Sequence, residues 1–436
     1  MKDSLLKKLI EYSDAKTPFH MPGHKRNFER FPIPYDIDIT EVDGFDNLHD
    51  MQGVLKDIAE LGKSVYNSVA SYPLVNGSTC GVLAGIYSLT RENKNILIAR
   101  NCHKSVYNAT EILDLDAHCI QPKACEFGIW GEILASDVEK EVIAHNIGTV
   151  VITSPTYEGI ISDVSAIYDV CKKHGAYLFI DCAHGAHMKD LHKECDICVM
   201  SLHKTLPSLT QTALLNVHSQ RVDSDVVKHA LSIFETSSPS YVLLASIDEC
   251  LRYFSDSESD FDALHKNLAD FYNETSELKN IKVFHFDDPT KIIIAGADGY
   301  CLAQKLRDEK IETEMAQGNY ILAMATVCDT KESLDILKDA LFKIDKGLSE
   351  KVFDGEIKFS LPEKELSIKD AINTKGEFLN FFDCFGKISL EYIFSYPPGA
   401  PIVVPGEVIS REMIEYLSTK KELKTTRGKF PKIYVK

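Results

Sequence analysis

Two neighbouring stretches, Ala176-Tyr-Leu-Phe-Ile-Asp181-Cys-Ala-His184 and Ile197-Cys-Val-Met-Ser201-Leu-His-Lys204, decide the fold of this 436-residue chain. Each begins with an apolar run too short for a typical helix and ends on acid, imidazole or amine side chains. Continuous apolar runs of this length are what strands buried on both sheet faces look like. Asn95–Ala99, Thr149–Thr153 and Ala213–Val217 repeat the pattern. Between two of these runs, Val164, Ile167, Tyr168 and Cys171 recur at helical spacing and stop before Gly175, a plausible C-cap position. Strand, helix, strand from about residue 50 to 220 is the signature of an α/β domain with a parallel sheet covered by helices.

Farther out the texture changes. After about residue 250 the helical segments are longer and more polar, and the apolar run Ile292–Ala295 is followed by helical stretches near 301–310 and 331–346. We therefore expect an N-terminal segment over 1–50, a large domain over 51–285 and a smaller C-terminal α+β domain over 286–436. The element Ser395–Glu407 (SYPPGAPIVVPGE) is expected as loop or turn, because its prolines exclude a regular helix. There are 65 acidic against 48 basic residues, a formal net charge of -17, which opposes a nucleic-acid partner. No apolar stretch approaches the roughly 18 residues of a membrane span, and the twelve cysteines show no secreted-scaffold spacing. A cytoplasmic protein with reduced thiols and no membrane partner is the expectation.

In open α/β sheets, ligands sit at the carboxyl ends of the strands. Here those ends carry Asp181, Cys182, Ala183 and His184; Ser201, His203 and Lys204; and Arg100, Asn101, Cys102 and His103. Upstream, Asn76-Gly-Ser78-Thr79-Cys-Gly81 opens an apolar helical segment, placing backbone N–H groups and two hydroxyls at a helix N-terminus, an anion cradle. A lysine at a strand end, an acid on a neighbouring strand and a phosphate cradle together suggest a pyridoxal phosphate site. The cofactor aldehyde needs a lysine amine, Lys204, to form a Schiff base. Its ring nitrogen stays protonated beside a buried carboxylate, Asp181. His103 could stack on one ring face with Ala183 on the other, and Ser78, Thr79, Ser201 and His203 would surround the phosphate. His184 or Lys204 could return a proton. A zinc reading of Asp181, Cys182, His184, His187, Cys195 and Cys198 is set aside: strand alternation turns neighbours to opposite faces, and Cys198 reads as core. No metal is expected.

At this point a resemblance becomes specific. The ordered segments TPFHMPGHK (17–25), ITEVDGFDNLHD (39–50), LVNGST (74–79), RNCHKSVYNA (100–109), TSPTYEG (153–159), AHGAH (183–187), SLHKTL (201–206), SSPSYVLLASID (237–248) and SYPPGAPIVVPGE (395–407) resemble the motifs of the Orn/Lys/Arg decarboxylase family. The chain looks like its short form, lacking an N-terminal wing domain. The resemblance implies an aminotransferase-like, fold type I large domain with a mostly parallel sheet. It also implies a C-terminal domain and a homodimer whose active site draws on both subunits. It gives Lys204, Asp181 and His103 the roles named above, and Ser78, Thr79 and His203 as phosphate ligands. Ser238 or Ser240 would approach the phosphate from the partner subunit. Cys182, Glu158 and Pro207 depart from the family pattern, and none of them removes a cofactor contact.

The expected reaction is decarboxylation of arginine, lysine or ornithine to CO2 and the amine, feeding polyamine metabolism. A basic substrate needs an acid at the far end of its side chain, and Asp43, Asp46, Glu158, Glu391 and Glu407 are candidates. A transaminase on the same scaffold would clamp the substrate carboxylate with an arginine. From residue 291 onward only Arg307, Arg411 and Arg427 occur, none at a strand end. Transamination, or cofactor binding without turnover, is the alternative.

Overall fold

Three or four apolar residues in a row bury a strand on both faces, and strands of this kind form the centre of a seven-stranded sheet. The computed structural model describes residues 17–19, 46–191, 193–348, 360–395, 399–418 and 423–436. In chain order the strands are β1 (Thr17–Phe19), β2 (Ala70–Leu74), β3 (Asn95–Ala99), β4 (Asp116–Ile120), β5 (Thr149–Thr153), β6 (Tyr177–Asp181), β7 (Ile197–Ser201) and β8 (Ala213–Val217). The sheet runs β2-β8-β7-β6-β5-β3-β4. Pairings from β7 through to β4 are parallel, whereas β8 is antiparallel to both β7 and β2. Two reversals restore direction, so β2 runs parallel to β7 and ends at the same sheet edge as β6 and β7.

Helices cover both faces. The helix Val164–Lys173 buries Val164, Ile167 and Cys171 and is capped by Asp163, whose carboxylate accepts from the Ala166 N–H at 3.0 Å. It stops where Gly175 takes φ +74°. Helix Gly77–Leu89 rides close over the sheet: a Cβ at Gly81 would stand 2.6 Å from Leu74 Cδ1 and 3.0 Å from a Val199 methyl. A larger residue there would lift the whole helix start, and with it the anion cradle.

The second sheet runs β12-β13-β10-β9, from β9 (Lys282–Phe284), β10 (Lys291–Ala295), β12 (Met315–Ala316) and β13 (Tyr320–Met324), while β11 (Ile311–Thr313) pairs with β1. Alternation along it separates two cores. Ile292, Ile294, Ile321 and Ala323 face the helices Glu258–Thr275, Gly299–Asp308 and Lys331–Asp345. Ile293, Ala295, Leu322 and Met324 instead pack with Ile129, Ile160, Met315 and Tyr320, against loops of the large domain.

Residues 360–436 hold a third core, Phe381, Ile393, Val403, Met413 and Val435 among its members. Around it lie β14 (Glu377–Asn380), β15 (Ile393–Ser395), β16 (Pro401–Val403), β17 (Leu423–Thr425) and β18 (Lys432–Val435). The region expected as one domain from 286 thus contributes to three separate cores, and the first draws in Leu264 and Phe271 from before that boundary. Within the proline-rich element, Pro401–Val403 is strand rather than loop. It is an edge of the order β16-β15-β17, where a missing N–H costs no ladder bond. Residues 20–45 and 396–398 lie outside the described residues, and with them the whole of HMPGHK (20–25) and Asp43.

Candidate active site

The parallel strands deliver their following residues to one edge. Lys204 sits on the single turn Leu202–Thr205 directly after β7, and Asp181 ends the adjacent strand β6. Lys204 Nζ and His184 Nε2 are 2.9 Å apart in a hydrogen bond. Burial pulls the Lys204 ammonium below its ordinary value, Asp181 and Glu314 oppose this, and Lys291 adds to it. Burial and the charge of Lys204 hold the buried His184 well below the ordinary histidine range, so its ring is neutral at neutral pH. Burial lifts the Asp181 carboxyl, with Lys204 opposing, and the Ala183 N–H donates to its Oδ1 at 3.2 Å.

His103 caps the helix Lys104–Leu113 through Nδ1, 2.9 Å from Ser105 Oγ, and burial lowers it to about 4. His203 is also lowered to about 4 by burial, its Nδ1 3.0 Å from the Thr212 carbonyl. Gly77, at φ +77°, starts the cradle helix, whose first turn has no acid and whose Asn76 side chain makes no capping bond. Ser78 is half-buried there and Thr79 exposed. The Thr236 N–H donates to Asn76 Oδ1 at 3.0 Å, tying the start of the SSPSY segment to the cradle of its own chain. Ser240 Oγ caps the helix Tyr241–Ser255, accepting from the Leu243 N–H, which leaves Ser238 as the exposed hydroxyl of the pair.

The residues fit pyridoxal phosphate on three independent observations. Ser201 Oγ is buried at the end of β7 with no hydrogen-bond partner. His184 Nδ1 is likewise buried and unpartnered. The first turn of the cradle helix carries no acid of its own and no side-chain cap, while the buried Glu235 takes the Val75 N–H just before it at 2.7 Å. Buried polar atoms of this kind are costly unless a ligand completes them.

The candidate substrate acids fare differently. Glu391 is buried inside the C-terminal region, accepting from the backbone N–H groups of Arg427 and Tyr434, both at 2.6 Å, and Gly428 at 3.2 Å. Glu407 takes a bidentate pair from Arg100, at 2.5 and 2.8 Å, plus the Val404 N–H at 2.8 Å. Both carboxylates are committed to architecture, a correction to their expected substrate role. Asp46 accepts backbone N–H groups of Asn47, Gln52, Gly53 and Leu55 and serves as a turn anchor. Glu158 is buried against the Tyr320 hydroxyl at 2.7 Å, and burial raises its carboxyl, which disfavours the charge a cationic substrate needs.

Sequence reasoning missed a group supplied by the second sheet. Tyr157 tilts over His184 with ring centroids 4.4 Å apart, and its hydroxyl donates to Glu314. His187 Nε2 meets Asp288 at 3.3 Å, and Lys291 Nζ lies 3.6 Å from the same carboxylate. A lysine at the head of the wholly buried run Lys291–Ala295 was the available signal; Glu314 had none.

The parallel sheet, its strand-end lysine and the neighbouring acid define the class: this is the fold of pyridoxal-phosphate enzymes of fold type I. An SPT structure described as containing PLP superposes with a TM-score of 0.56 at 13% identity, over 67% of this chain and 77% of that one. The E. coli constitutive lysine decarboxylase superposes with a TM-score of 0.76 at 17% identity, over 99% and 81%, a likeness of fold. Residues 4–293 match the Orn/Lys/Arg decarboxylase major domain, and residues 347–432 the C-terminal domain of the same family. An arginine decarboxylase of Halalkalibacterium halodurans is 28% identical over 437 residues, 92% of this chain and 89% of that protein. The chain belongs to the Orn/Lys/Arg decarboxylase family, the PLP-dependent amino acid decarboxylases.

Proposed function

We propose that this protein decarboxylates a basic amino acid, arginine foremost, releasing CO2 and the corresponding amine for polyamine synthesis. The reading rests on the Lys204–His184 pair, 2.9 Å apart, beside Asp181 at the end of the adjacent strand. Pyridoxal phosphate, when bound, supplies the sink for the electron pair left on Cα as the Cα–carboxylate bond breaks. Lys204 would hold the cofactor covalently, Asp181 would keep a proton at its ring nitrogen, and Ser78, Thr79, Ser201 and His203 would hold its phosphate. His103 and Ala183 would flank the ring.

The chain's own contribution to turnover is proton placement and exclusion of water. Burial weakens the hold of Lys204 Nζ on its proton, and the neutral His184 Nε2 beside it can receive that proton and return it. The same dry pocket solvates a carboxylate poorly, which favours its departure as neutral CO2. Glu314 is the acid, besides Asp181, whose charge reaches Lys204, and we assign it rather than Glu158 to the far end of the substrate side chain. Support for a basic amino acid comes from the family, and for arginine in particular from the name of the Halalkalibacterium relative.

A homodimer completes this reading, with Ser238 of each chain near the partner's phosphate. None of the twelve cysteines is in a disulfide, which suits the reducing compartment we infer, and among the described residues no helix is long and apolar enough to cross a membrane. The test is CO2 release by the PLP-supplied protein from arginine, lysine and ornithine in parallel, with Lys204→Ala as control. Release that survives in Lys204→Ala would overturn the assignment. Amino transfer to a keto acid without CO2 would favour the aminotransferase alternative.

A further inference from the structure

At the opposite end of β7 from Lys204, the structure gathers three soft ligands that the decarboxylation chemistry does not use. Cys195 precedes β7, Cys198 is its second residue, and His218 follows β8. Because β7 and β8 are antiparallel, with Ile197 opposite Val217 and the His218 N–H donating to the Asp196 carbonyl at 3.0 Å, the ring of His218 arrives beside the two thiols. Cys198 Sγ and His218 Nε2 are 3.4 Å apart, and the three ligand atoms all lie within 4.8 Å of one another. We propose that Cys195, Cys198 and His218 bind one thiophilic divalent cation of the zinc class, clamping the start of β7 to the end of β8.

The spacing suits the chemistry. A tetrahedral ion with bonds of about 2.3 Å to sulfur and about 2.0–2.1 Å to nitrogen separates the two atoms by about 3.6 Å, close to the distance found. Cys195 and Cys198 are buried and His218 half-buried, so two thiolates would neutralise the cation in a nearly dry site, with an approach past the imidazole. Across the ladder from Cys198 lies the fully buried Asn216, a polar neighbour that supports a thiolate at Cys198. Asp196, between the cysteines, is not available. It accepts from the Leu178 N–H at 2.8 Å and from the Arg221 guanidinium at 2.5 and 3.1 Å. Cys-x-x-Cys alone is a weak signal; the third ligand, twenty residues on, comes only from the strand pairing.

The full-length, PLP-loaded protein, prepared reduced and with zinc supplied, should contain one zinc per chain by elemental analysis. Chelator-treated protein given Co2+ should develop the strong near-ultraviolet thiolate-to-cobalt band and the visible bands of a tetrahedral site. Cys198→Ser and His218→Ala should each lose the zinc and these spectra. Should Cys198→Ser fail to fold, His218→Ala, altered at the half-buried position, gives the same reading. Protein that stays zinc-free, or that forms a Cys195–Cys198 disulfide under these conditions instead, overturns the proposal. So does zinc or a thiolate–cobalt band retained in full by His218→Ala.

Discussion

Arg100–Glu407 and Lys204–His184 are both buried polar pairs that begin at strand ends of one sheet, yet they differ in how completely they are satisfied. Arg100 meets both carboxylate oxygens of Glu407 and the Ile402 carbonyl, with Nε alone left unpartnered, and Glu407 takes the Val404 N–H as well. This bidentate, charge-matched pair joins the large domain to the C-terminal region, with Lys364 and Lys369 adding contacts to Ala117 and Asp114. Around Lys204 the balance is reversed. Lys204, Lys291 and the histidines 103 and 203 crowd His184, whose Nδ1 has no partner, as is true of Ser201 Oγ. A charge-matched pair holds the domains together, whereas cation-forming groups crowded around one buried ring mark where an anionic ligand finishes the structure.

That contrast can be broken by substitutions on either side. The largest effect should be Lys204→Ala, which takes CO2 release to background while leaving the urea unfolding midpoint close to wild type; a large loss of stability would show that the lysine is architectural. His184→Phe comes next. It should lower kcat by about 10²–10⁴-fold, as expected for a positioned proton-transfer group, with little loss of stability because an unpartnered buried nitrogen is removed. Arg100→Met should behave in the opposite way. It leaves Glu407 buried without its cation and should cost about 3–5 kcal/mol in urea unfolding. The double replacement Arg100→Met with Glu407→Leu should recover much of that loss, because no lone charge remains. A double variant as unstable as the single one would refute the charge explanation.

A smaller effect sharpens the substrate end of the comparison. Glu314→Gln keeps the shape and removes the charge, so KM for a basic substrate should rise about tenfold or more while kcat changes less. Glu391→Gln, altered inside a carboxylate cage of three backbone N–H groups, should leave KM alone and lower stability by about 1–3 kcal/mol. Exchange of the two outcomes would return Glu391 to the substrate site.

How far the sequence revealed these regions depends on where each residue stands in the sheet. The five strands read from apolar runs, β3, β5, β6, β7 and β8, are the interior ones, buried on both faces. The two missed, β2 (ASYPL) and β4 (DAHCI), are the edges of the order β2-β8-β7-β6-β5-β3-β4, where proline and polar residues are tolerated. The reversal of β8 could not be read, since an apolar run has no direction. Site residues within a few positions of a strand end were legible because chain continuity carries them to the edge. Glu314, Asp288 and Lys291 were not, because they arrive on a second sheet whose docking is set by Ile293, Leu322 and their neighbours. Glu391 and Glu407 were misread for the same reason: an acid in a motif has no local sign of which N–H groups or guanidinium will surround it.

The smallest predicted effect concerns acid. His103 and His203 are lowered by burial to about 4, and His184 lies well below its ordinary value. In the unfolded chain a histidine titrates near 6.5, so between that pH and the folded value the unfolded state binds more protons. Stability from these rings is therefore fully present above about pH 6.5 and is lost progressively as pH falls toward about 4. Between pH 7.5 and 6 only the upper edge of this window is crossed, and the urea midpoint should fall slightly, then more steeply toward pH 5. His203→Asn, which retains a polar side chain at that position without a titrating ring, should flatten the decline. The double replacement Arg100→Met with Glu407→Leu, which removes both charges at the junction, should decline in parallel with wild type. A slope abolished in that double variant but unchanged in His203→Asn would place the acid sensitivity in the domain junction and not at the strand ends.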